Sequence, residues 1–547
     1  MAHLVEKFPI DLKSFKKLKL DPKKPQLSKE EKEVLTFNIQ LLRDTIVYFT
    51  ATASARGVSG HTGGAYDTVP EVCMLLAIME GDPSKYVPII WDEAGHRVAT
   101  QYLLSALDGS LPPEHLLHYR AANSRLPGHP ELGLTPGVKF SSGRLGHMWP
   151  LVNGVALANR DKGVFCLGSD GSQQEGNDAE AARLAVAQNL NVKLFIDDND
   201  TLEGHGMKVI TAQGKDFESL WSAVAEAVAC NGPLPRVMAP GIPDIEGSPH
   251  AHDVIPVASA TRYLEKRGLG NLASIYNEIK PILNPYLFIG SSHELGANRV
   301  IFGEAVNMVL DTLPPEEAKA KVLVVDSDLE GSTGLKSIHQ KHPEVFLSSG
   351  IMERGNFSAA AGFGFDPDKF VLSHFSHSGV DEADNTCHFG LNNMFGDNGL
   401  TDVQSYLYFP ADAAQMVAVV KRVFFERGVR FIFSTRAKVP WILKEDGARF
   451  FEGDYKFIPG KDDIIRKARL DTSQQGLDVG LINKPCLNVI KKIGQTPFVL
   501  VVESLNQKTG LGSKFGTWLL ERQLTPKYGY MGTTKEAIIS KIMELAH

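Results

Sequence analysis

Two side chains that can offer oxygen atoms to a metal ion follow neighbouring predicted strands. Asp170 follows the apolar run at residues 164–167, and Asn199 follows a second apolar run at residues 192–196. Because the carboxyl ends of parallel strands meet at one edge of a sheet, these two side chains should lie close together. A carboxylate and an amide oxygen are hard ligands suited to Mg²⁺, which keeps its other positions for water and phosphate oxygens. The pair therefore predicts a metal site that anchors a diphosphate.

Histidines in glycine-rich loops form a second set of candidates. They are His61, His96, His129, His147 and His252. Imidazoles suit a substrate with several hydroxyl groups to orient, one of which must lose a proton near neutral pH. The histidines lack the short paired spacing of a zinc site, which disfavours zinc.

A βαβ unit should position Asp170 and Asn199. Between the two predicted strands, the apolar residues of 175–189 recur at helical spacing. An ordinary Rossmann-type turn is the alternative interpretation of this segment, since glycine is common at such turns. A nicotinamide-dependent oxidoreductase would need an early Gly-x-Gly-x-x-Gly turn, which we do not find in the sequence.

Composition and charge exclude several classes of protein. The 547 residues carry a formal net charge of −7, which gives no basic field for nucleic acid. No apolar stretch is long enough for a membrane span, and the N-terminus lacks the apolar core of a signal peptide. Five scattered cysteines argue against a disulfide framework. We therefore expect a cytoplasmic protein without nucleic-acid or membrane partners.

Three alternating α/β regions are predicted along the chain, in line with a length that suits about three or four domains. Residues 1–295 contain the Asp170 motif, residues 296–445 form a second module, and residues 446–547 form a smaller third region. A stretch rich in proline, glycine and serine at 280–294 is the predicted first crossing between domains. The elements predicted beyond it are a helix at 300–313 and strands at 321–325, 431–434, 477–482 and 498–502.

The segment around Asp170 resembles the signature of thiamine-diphosphate enzymes, a Gly-Asp-Gly step followed by Glu-Gly and, further along, by Asn. The matching residues are Asp170, Gly171, Glu175, Gly176 and Asn199. Ser169 departs from the signature, because most members carry glycine there. The resemblance implies that Asp170, Asn199 and Thr201 bind Mg²⁺, for which Ca²⁺ can substitute.

The segments that carry the histidines look like those of the transketolase branch of these enzymes. They are 59–64, 93–96, 127–131 and 141–147, and a later Ala-His step ends at His252. Arg144, His147 and Asp253 depart from the branch. The resemblance implies catalytic roles for His61 and His252 and a substrate contact for His129. The cofactor-binding residues that it implies are His96, Gly143, Gly146, Gly171, Glu175 and Asn199.

Residues 350–356 are similar to the family segment whose glutamate activates thiamine. Glu353 is therefore the implied catalytic carboxyl group, which would hydrogen-bond the aminopyrimidine ring so that the cofactor makes its own nucleophile. Taken alone, a glutamate before an alanine-rich helix would be interpreted as a favourable charge at a helix N-terminus.

Two further groups of residues in the second module match the family. The stretch 376–388 carries two histidines, of which His377 is the implied catalytic residue and His388 the implied substrate contact at the phosphate end. Two guanidinium groups and a hydroxyl make a plausible phosphate clamp. Its implied members are Arg299, Ser332 and Arg436.

The resemblance covers nearly the whole chain and implies an α/β fold with a three-domain transketolase-like architecture. Two modules of the thiamine-diphosphate-binding fold, one for the diphosphate and one for the pyrimidine, would precede a smaller C-terminal α/β domain. The implied reaction transfers a two-carbon ketol unit from a ketose phosphate to an aldose phosphate, with thiamine diphosphate and Mg²⁺, in the pentose phosphate pathway of carbohydrate metabolism. Members are homodimers with active sites at the subunit interface. Enzymes of the phosphoketolase, dihydroxyacetone synthase and deoxyxylulose-phosphate synthase types are the alternatives.

The chain is shorter than such relatives after Asp200, after Phe370 and in the C-terminal region. Several of these places should touch cofactor, and cofactor-binding loops belong to the least stable parts of a fold. One explanation is that the complete protein has loops that these 547 residues lack, and it is then a complete enzyme. The other is that the deletions are genuine and the protein is a degenerate, non-catalytic homologue that acts as a binding partner. The retained Asp170, Asn199 and Glu353 favour the first explanation.

Overall fold

The chain forms two compact units, with the boundary in its middle after Pro285. The described residues of the first unit lie within 8–279 and those of the second within 290–545. The predicted three-domain division, with boundaries at 295 and 445, stays a prediction. The computed structural model describes residues 8–58, 60–121, 124–197, 210, 212, 216–230, 234–235, 254–279, 290–327, 329–348, 350–364, 368–369, 372–376, 405–435, 437–444, 446–458, 464–472, 475–483, 497–502, 511–521, 523–531, 541 and 544–545.

A four-stranded parallel sheet forms the centre of the first unit. Its strands lie side by side in chain order: β1 (Tyr86–Asp92), β2 (Gly163–Ser169), β3 (Val192–Asp197) and β4 (Leu234–Pro235). The helices are α1 (Lys29–Ala55), α2 (Gly63–Asp67), α3 (Val69–Gly81), α4 (Val98–Leu107), α5 (Met148–Ala158), α6 (Gly176–Ala187), α7 (Phe217–Ala229), α8 (Val257–Lys266) and α9 (Ile275–Glu278).

Residues 164–167 of β2 are continuously apolar and buried, because both faces of the sheet are covered. Phe165 and Leu167 pack into the large core that surrounds α1, while Val164 and Cys166 pack into a second core with α5 and α6. This continuous apolar pattern is typical of a strand in a doubly covered parallel sheet. The sheet thereby directs the carboxyl ends of β1, β2 and β3 toward one edge.

The second unit contains several small sheets. Three parallel strands form the largest, in the order β8 (Leu372–Phe375), β10 (Val429–Phe433) and β9 (Ser405–Tyr408). Two further parallel pairs are β6 (Val324–Asp326) with β7 (Phe346–Ser348), and β14 (Phe498–Val502) with β15 (Lys527–Met531). The antiparallel pairs are β5 (Ser291–Gly296) with β11 (Val439–Ile442), and β12 (Ile464–Thr472) with β13 (Gln475–Asn483).

The main core of the second unit joins α10 and α15, where Phe302, Val306, Met416 and Val420 are buried. The helices of this unit are α10 (Asn298–Leu310), α11 (Pro315–Lys321), α12 (Glu330–Thr333), α13 (Lys336–Lys341), α14 (Glu353–Phe363), α15 (Ala413–Val423) and α16 (Leu511–Glu521). Both units therefore combine parallel strands with helices, which confirms the predicted α/β class.

Several predicted strand boundaries in the second unit differ from the observed ones, and the strand at 321–325 differs most. The strand expected at 321–325 begins only at Val324, because α11 extends to Lys321. Proline at the first helical position and an ion pair of 2.7 Å between Glu317 and Lys321, one helical turn apart, favour the helix. The helix expected at 300–313 is observed as α10, displaced by two or three residues.

Within the ranges given above, no helix combines the length and the apolarity needed to cross a membrane. Of the cysteines that the structure describes, Cys73, Cys166 and Cys230 are all free thiols.

Candidate active site

The loop after β2, residues 170–175 and here called the Asp170 loop, presents Asp170 at the edge of the sheet. Asp170 is half-buried, and its Oδ1 accepts a hydrogen bond of 2.7 Å from the backbone N–H of Gly171. One short 3-10 turn, Ser172–Gln174, then leads to Glu175, which stands immediately before α6. The loop thus combines a carboxylate, a glycine backbone and a helix N-terminus, three features that suit a metal–phosphate group.

A glycine turn at residues 143–146 lies against this loop. The backbone N–H of Gly146 donates to the Ser172 hydroxyl at 3.0 Å. Both Gly143 and Gly146 have positive φ angles, of 107° and 72°. A Cβ on Gly146 would lie 2.7 Å from the Cβ of Glu175, and one on Gly143 would lie 2.5 Å from Cδ2 of His129. Only glycine lets this turn contact the Asp170 loop on one side and a histidine on the other.

Three of the predicted histidines meet at this turn, although they come from three separate loops. The ring centroids of His61 and His96 are 4.9 Å apart, and those of His129 are 5.8 Å and 5.5 Å from them. One ring nitrogen of each histidine lies within 4.8 Å of the others. His129 is buried, and His61 and His96 are half-buried. Such a cluster can orient several hydroxyl groups, move a proton or ligate a transition metal.

Gly95 allows His96 to join the cluster. Its φ angle is 75°, and a Cβ at this position would lie 2.6 Å from Cδ2 of His129 and 2.8 Å from the backbone of Gly143. The chain that carries His96 therefore passes directly over the 143–146 turn. The sequence spacing that disfavoured a metal does not describe this arrangement, because the three imidazoles converge only in the folded chain.

A buried polar network lies beneath the Asp170 loop. Asp92 and Arg97 form an ion pair of 3.1 Å, and Arg97 also donates to the carbonyl of Gly168 at 2.7 Å. Glu93 accepts from the backbone N–H of Ser169 at 3.3 Å. The side chains of Asp92, Glu93 and Arg97 are all buried. The sequence predicted no role for these three residues.

The environment of this network changes its acid–base behaviour. Burial raises the pKa of the Glu93 carboxyl well above its ordinary range, and the nearby charge of Asp178 raises it further. Burial also raises the pKa of Asp92, while the Arg97 guanidinium opposes that rise. One signal in the sequence could have indicated this network. Asp92 and Glu93 stand side by side at the end of an apolar strand, and charged groups are buried in such a place only when they have partners.

In the second unit the structure brings two predicted phosphate-binding residues together. The guanidinium of Arg299 donates to the backbone carbonyl of Ser332 at 2.8 Å. Gly334, with a φ angle of 82°, allows this contact, because a Cβ there would overlap the carbonyl of Arg299. The geometry holds both residues at the start of α10 and the end of α12.

Glu353 is the first residue of α14, and its side chain is exposed. It borders a cavity of about 410 Å³ in the second unit, together with Ser327, Asn356 and His374. Asn356 donates to the Ser327 hydroxyl at 2.8 Å, which ties α14 to the end of β6. Most of the remaining lining is apolar, from residues such as Phe302. The cavity therefore suits a largely apolar group with a polar edge near Glu353.

Six predicted site residues lie outside the residues that the structure describes, and their roles stay predictions. They are Asn199, Thr201, His252, His377, His388 and Arg436.

Comparison with known proteins matches the region that holds Asp170, His96 and His129. Residues 89–231, which include the end of β1 and all of β2 and β3, match the family described as transketolase, thiamine diphosphate binding domain. The chain is 30% identical over 248 residues to one of the subunits of apulose-4-phosphate transketolase from Actinobacillus succinogenes, an alignment that covers 39% of this chain and 88% of that protein. It is 33% identical over 209 residues to the transketolase of Aquifex aeolicus, covering 34% of this chain.

The chain spans only part of the longer relatives, 30% of the Aquifex aeolicus transketolase and 41% of that from Staphylococcus epidermidis. Among solved structures, transketolase from Leishmania mexicana is 15% identical, with a TM-score of 0.38, over 90% of this chain and 85% of that one. The match to nearly the full length of the Actinobacillus protein, together with the matched diphosphate-binding domain, decides the classification. The chain belongs to the transketolase family.

Proposed function

We propose that the protein is a transketolase-type transferase that uses thiamine diphosphate and Mg²⁺ to move a two-carbon ketol unit from a ketose phosphate to an aldose phosphate. The observation that carries the proposal is the 143–146 turn. It contacts the three-histidine cluster through His129 and the Asp170 loop through Ser172 and Glu175. Groups suited to sugar hydroxyls and groups suited to a metal diphosphate thus contact the same turn.

The described residues fit the cofactor. Asp170 supplies a carboxylate for Mg²⁺, and the N-terminus of α6, which follows this loop, favours a negatively charged phosphate nearby. Asn199 and Thr201 would complete the metal site, which Ca²⁺ can also occupy. When bound, thiamine diphosphate supplies a nucleophilic carbon and an electron sink for cleavage of a carbon–carbon bond.

The histidines would handle the sugar. His61 and His96 reach the cluster half-exposed, so they can hydrogen-bond donor hydroxyl groups, while the buried His129 is held by the glycine turn. A neutral imidazole in this cluster can accept the proton that a hydroxyl group loses as the bond breaks. His252 and His377 would add further proton-transfer groups.

A phosphate clamp would select phosphorylated sugars. Arg299 is already oriented by its hydrogen bond to the carbonyl of Ser332, and a guanidinium offers further N–H donors for phosphate oxygens. Arg436 and His388 are the other proposed members. Glu353 would hold a proton at the cofactor ring, a role supported by its place at the rim of the 410 Å³ cavity.

Calorimetric titration with thiamine diphosphate, with and without Mg²⁺, tests the cofactor site. We expect binding that depends on Mg²⁺ and raises the unfolding temperature, since a ligand of the native state stabilises it by mass action. If the folded wild-type protein binds nothing, the non-catalytic alternative is favoured and the proposed function is wrong.

Replacement of Glu353 tests the catalytic assignment. Glu353→Gln should lower the turnover of a ketose phosphate and an aldose phosphate, followed by mass spectrometry, by about 10²- to 10⁴-fold, the usual contribution of a proton-transfer group. Its affinity for thiamine diphosphate should change little. Glu316→Gln is the matched control, because Glu316 is also an exposed glutamate in the first turn of a helix of this unit. Full turnover by Glu353→Gln would refute the role of Glu353.

The same product analysis separates transketolase from the phosphoketolase, dihydroxyacetone synthase and deoxyxylulose-phosphate synthase types, which differ in donor or acceptor. We further propose a cytoplasmic homodimer with active sites at the subunit interface. Sedimentation of the purified protein tests the dimer, and a monomer with full activity would contradict it.

A further inference from the structure

A single peptide group in front of Asp170 is held on both of its polar edges. The carbonyl oxygen of Gly168 and the N–H of Ser169 belong to the same peptide unit. Arg97 Nη2 donates to the carbonyl at 2.7 Å, and Glu93 Oε2 accepts from the N–H at 3.3 Å. Both side chains come from the segment that follows β1, so one short stretch of chain forms hydrogen bonds to the end of β2.

The Arg97 guanidinium that donates to the Gly168 carbonyl is held rigidly. Arg97 is 4% exposed and Asp92 is fully buried, and their ion pair fixes the guanidinium plane. A buried ion pair contributes little net stability, because the cost of removing two charges from water offsets most of the attraction. The pair is therefore better explained by the geometry that it imposes on Gly168 than by a contribution to folding.

The Glu93 carboxyl group is held by residues that follow Asp170 in the loop. The side-chain amide of Gln173 lies between two buried carboxyl groups, 3.5 Å from Glu93 Oε2 and 3.3 Å from Asp178 Oδ2. Gln173 belongs to the turn that follows Asp170, and Asp178 to the first turn of α6. Burial and the nearby charge of Asp178 also raise the pKa of Glu93 well above its ordinary range. Glu93 therefore connects both sides of the Asp170 loop.

We infer that Glu93 and Arg97 are positioning residues that set the direction of the Asp170 carboxylate for the metal diphosphate. The inference rests on the proposed function. Because a peptide unit is planar, fixing its C=O and its N–H together leaves no freedom to rotate about its axis. The backbone one residue before Asp170 is thereby fixed, which limits the directions in which the Asp170 carboxylate can point.

Removal of the Glu93 acceptor tests this role. Glu93→Ala should raise the dissociation constant for thiamine diphosphate with Mg²⁺ by about 10- to 100-fold, the usual effect of losing a group that orients a metal ligand. Glu93→Gln should restore near wild-type affinity, because its amide oxygen can still accept from Ser169 while its NH₂ group donates to Asp178. Binding is measured by calorimetry on the full chain, without turnover.

Hydrogen exchange of the cofactor-free protein provides a second readout. The Ser169 amide should exchange faster in Glu93→Ala than in wild type and Glu93→Gln. Asn153→Ala is the control, because Asn153 is equally buried in the same unit and donates to a backbone carbonyl, that of Ala181 at 2.8 Å, away from the loop. It should lower the unfolding temperature without changing the affinity or the exchange of Ser169.

The outcomes separate the inference from the proposed function. Wild-type affinity in Glu93→Ala, or an equal loss of affinity in Asn153→Ala, would overturn the inference while the cofactor site stands. Absence of binding by wild type would overturn the proposed function and with it the role in metal binding. If Glu93→Ala does not fold, Arg97→Lys tests the other hydrogen bond, since one ammonium nitrogen cannot replace the guanidinium fork between Asp92 and Gly168. Unchanged affinity in that variant would also overturn the inference.

Discussion

Replacement of Gly143 by alanine should damage the site through the contact between the glycine turn and His129. The φ angle of Gly143 is 107°, a conformation that costs a side-chain-bearing residue about 1–3 kcal/mol. The new Cβ would also lie 2.5 Å from Cδ2 and 2.7 Å from Cγ of His129, which is 2% exposed and has little room to move. Overpacking of this kind costs about 1–3 kcal/mol. The sum is a destabilisation of about 2–6 kcal/mol.

Gly109→Ala separates the two contributions. Gly109 has a φ angle of 83°, and no atom lies within 4 Å of a Cβ placed there. It should show the backbone cost alone, and the gain from a less flexible unfolded chain is the same in both variants. Gly143→Ala should cost less in a His129→Ala background than in the wild type, because that background lacks the ring that the new methyl group meets.

The assay is hydrogen exchange of peptides from the first unit at increasing urea concentration. It reports the free energy of opening of this unit separately, which suits a chain of two units that need not unfold in one step. If Gly143→Ala loses no more free energy than Gly109→Ala, or if it costs as much in the His129→Ala background as in the wild type, the close contact between the turn and His129 is wrong.

Two further predictions concern the same unit. Asp170→Ala should weaken the Mg²⁺-dependent binding of thiamine diphosphate by at least about tenfold in calorimetry, since a contact to a charged group contributes about 1.5–3 kcal/mol. Asp161 is exposed, and Asp161→Ala should bind as wild type does. Equal affinity of the two variants would contradict the metal site. Lys193 is buried in β3, and burial lowers its pKa from 10.5 to about 8, so the native state holds fewer protons than the unfolded state between these pH values. The free energy of unfolding of wild type should therefore rise with pH relative to that of Lys193→Met, by about 3 kcal/mol from pH 8 to pH 10.5. If the free energies of unfolding of the two proteins change with pH in parallel, the Lys193 amine is not desolvated.

The local chemistry of the Asp170 loop could be predicted from the sequence because it depends on neighbours in the chain. An apolar run long enough for a buried strand, a glycine turn and a helical pattern together place Asp170 at a strand end. The same holds for Glu353, which begins α14 as the alanine-rich segment after it suggests. Elements defined by local periodicity need no knowledge of the rest of the fold.

Element boundaries in the second unit were less predictable. Residues 321–325 contain valine and leucine in a pattern typical of a strand, yet Lys321 ends a helix whose start at Pro315 is favoured by local signals of comparable strength. Competition of this kind is decided by packing against the rest of the unit, here the burial of Ala318 and Val322 in the core around α10.

The order of the residues along the chain established which chemical groups were available and in which loops they lie, and it indicated the family. The folded chain was needed to show that His61, His96 and His129 share one wall and that the 143–146 turn joins them to the Asp170 loop. The grip of Arg97 and Glu93 on one peptide group also emerged only from the fold. These contacts join residues far apart along the chain, so they arise from the packing of the parallel sheet and its helices and leave no periodic trace in the sequence.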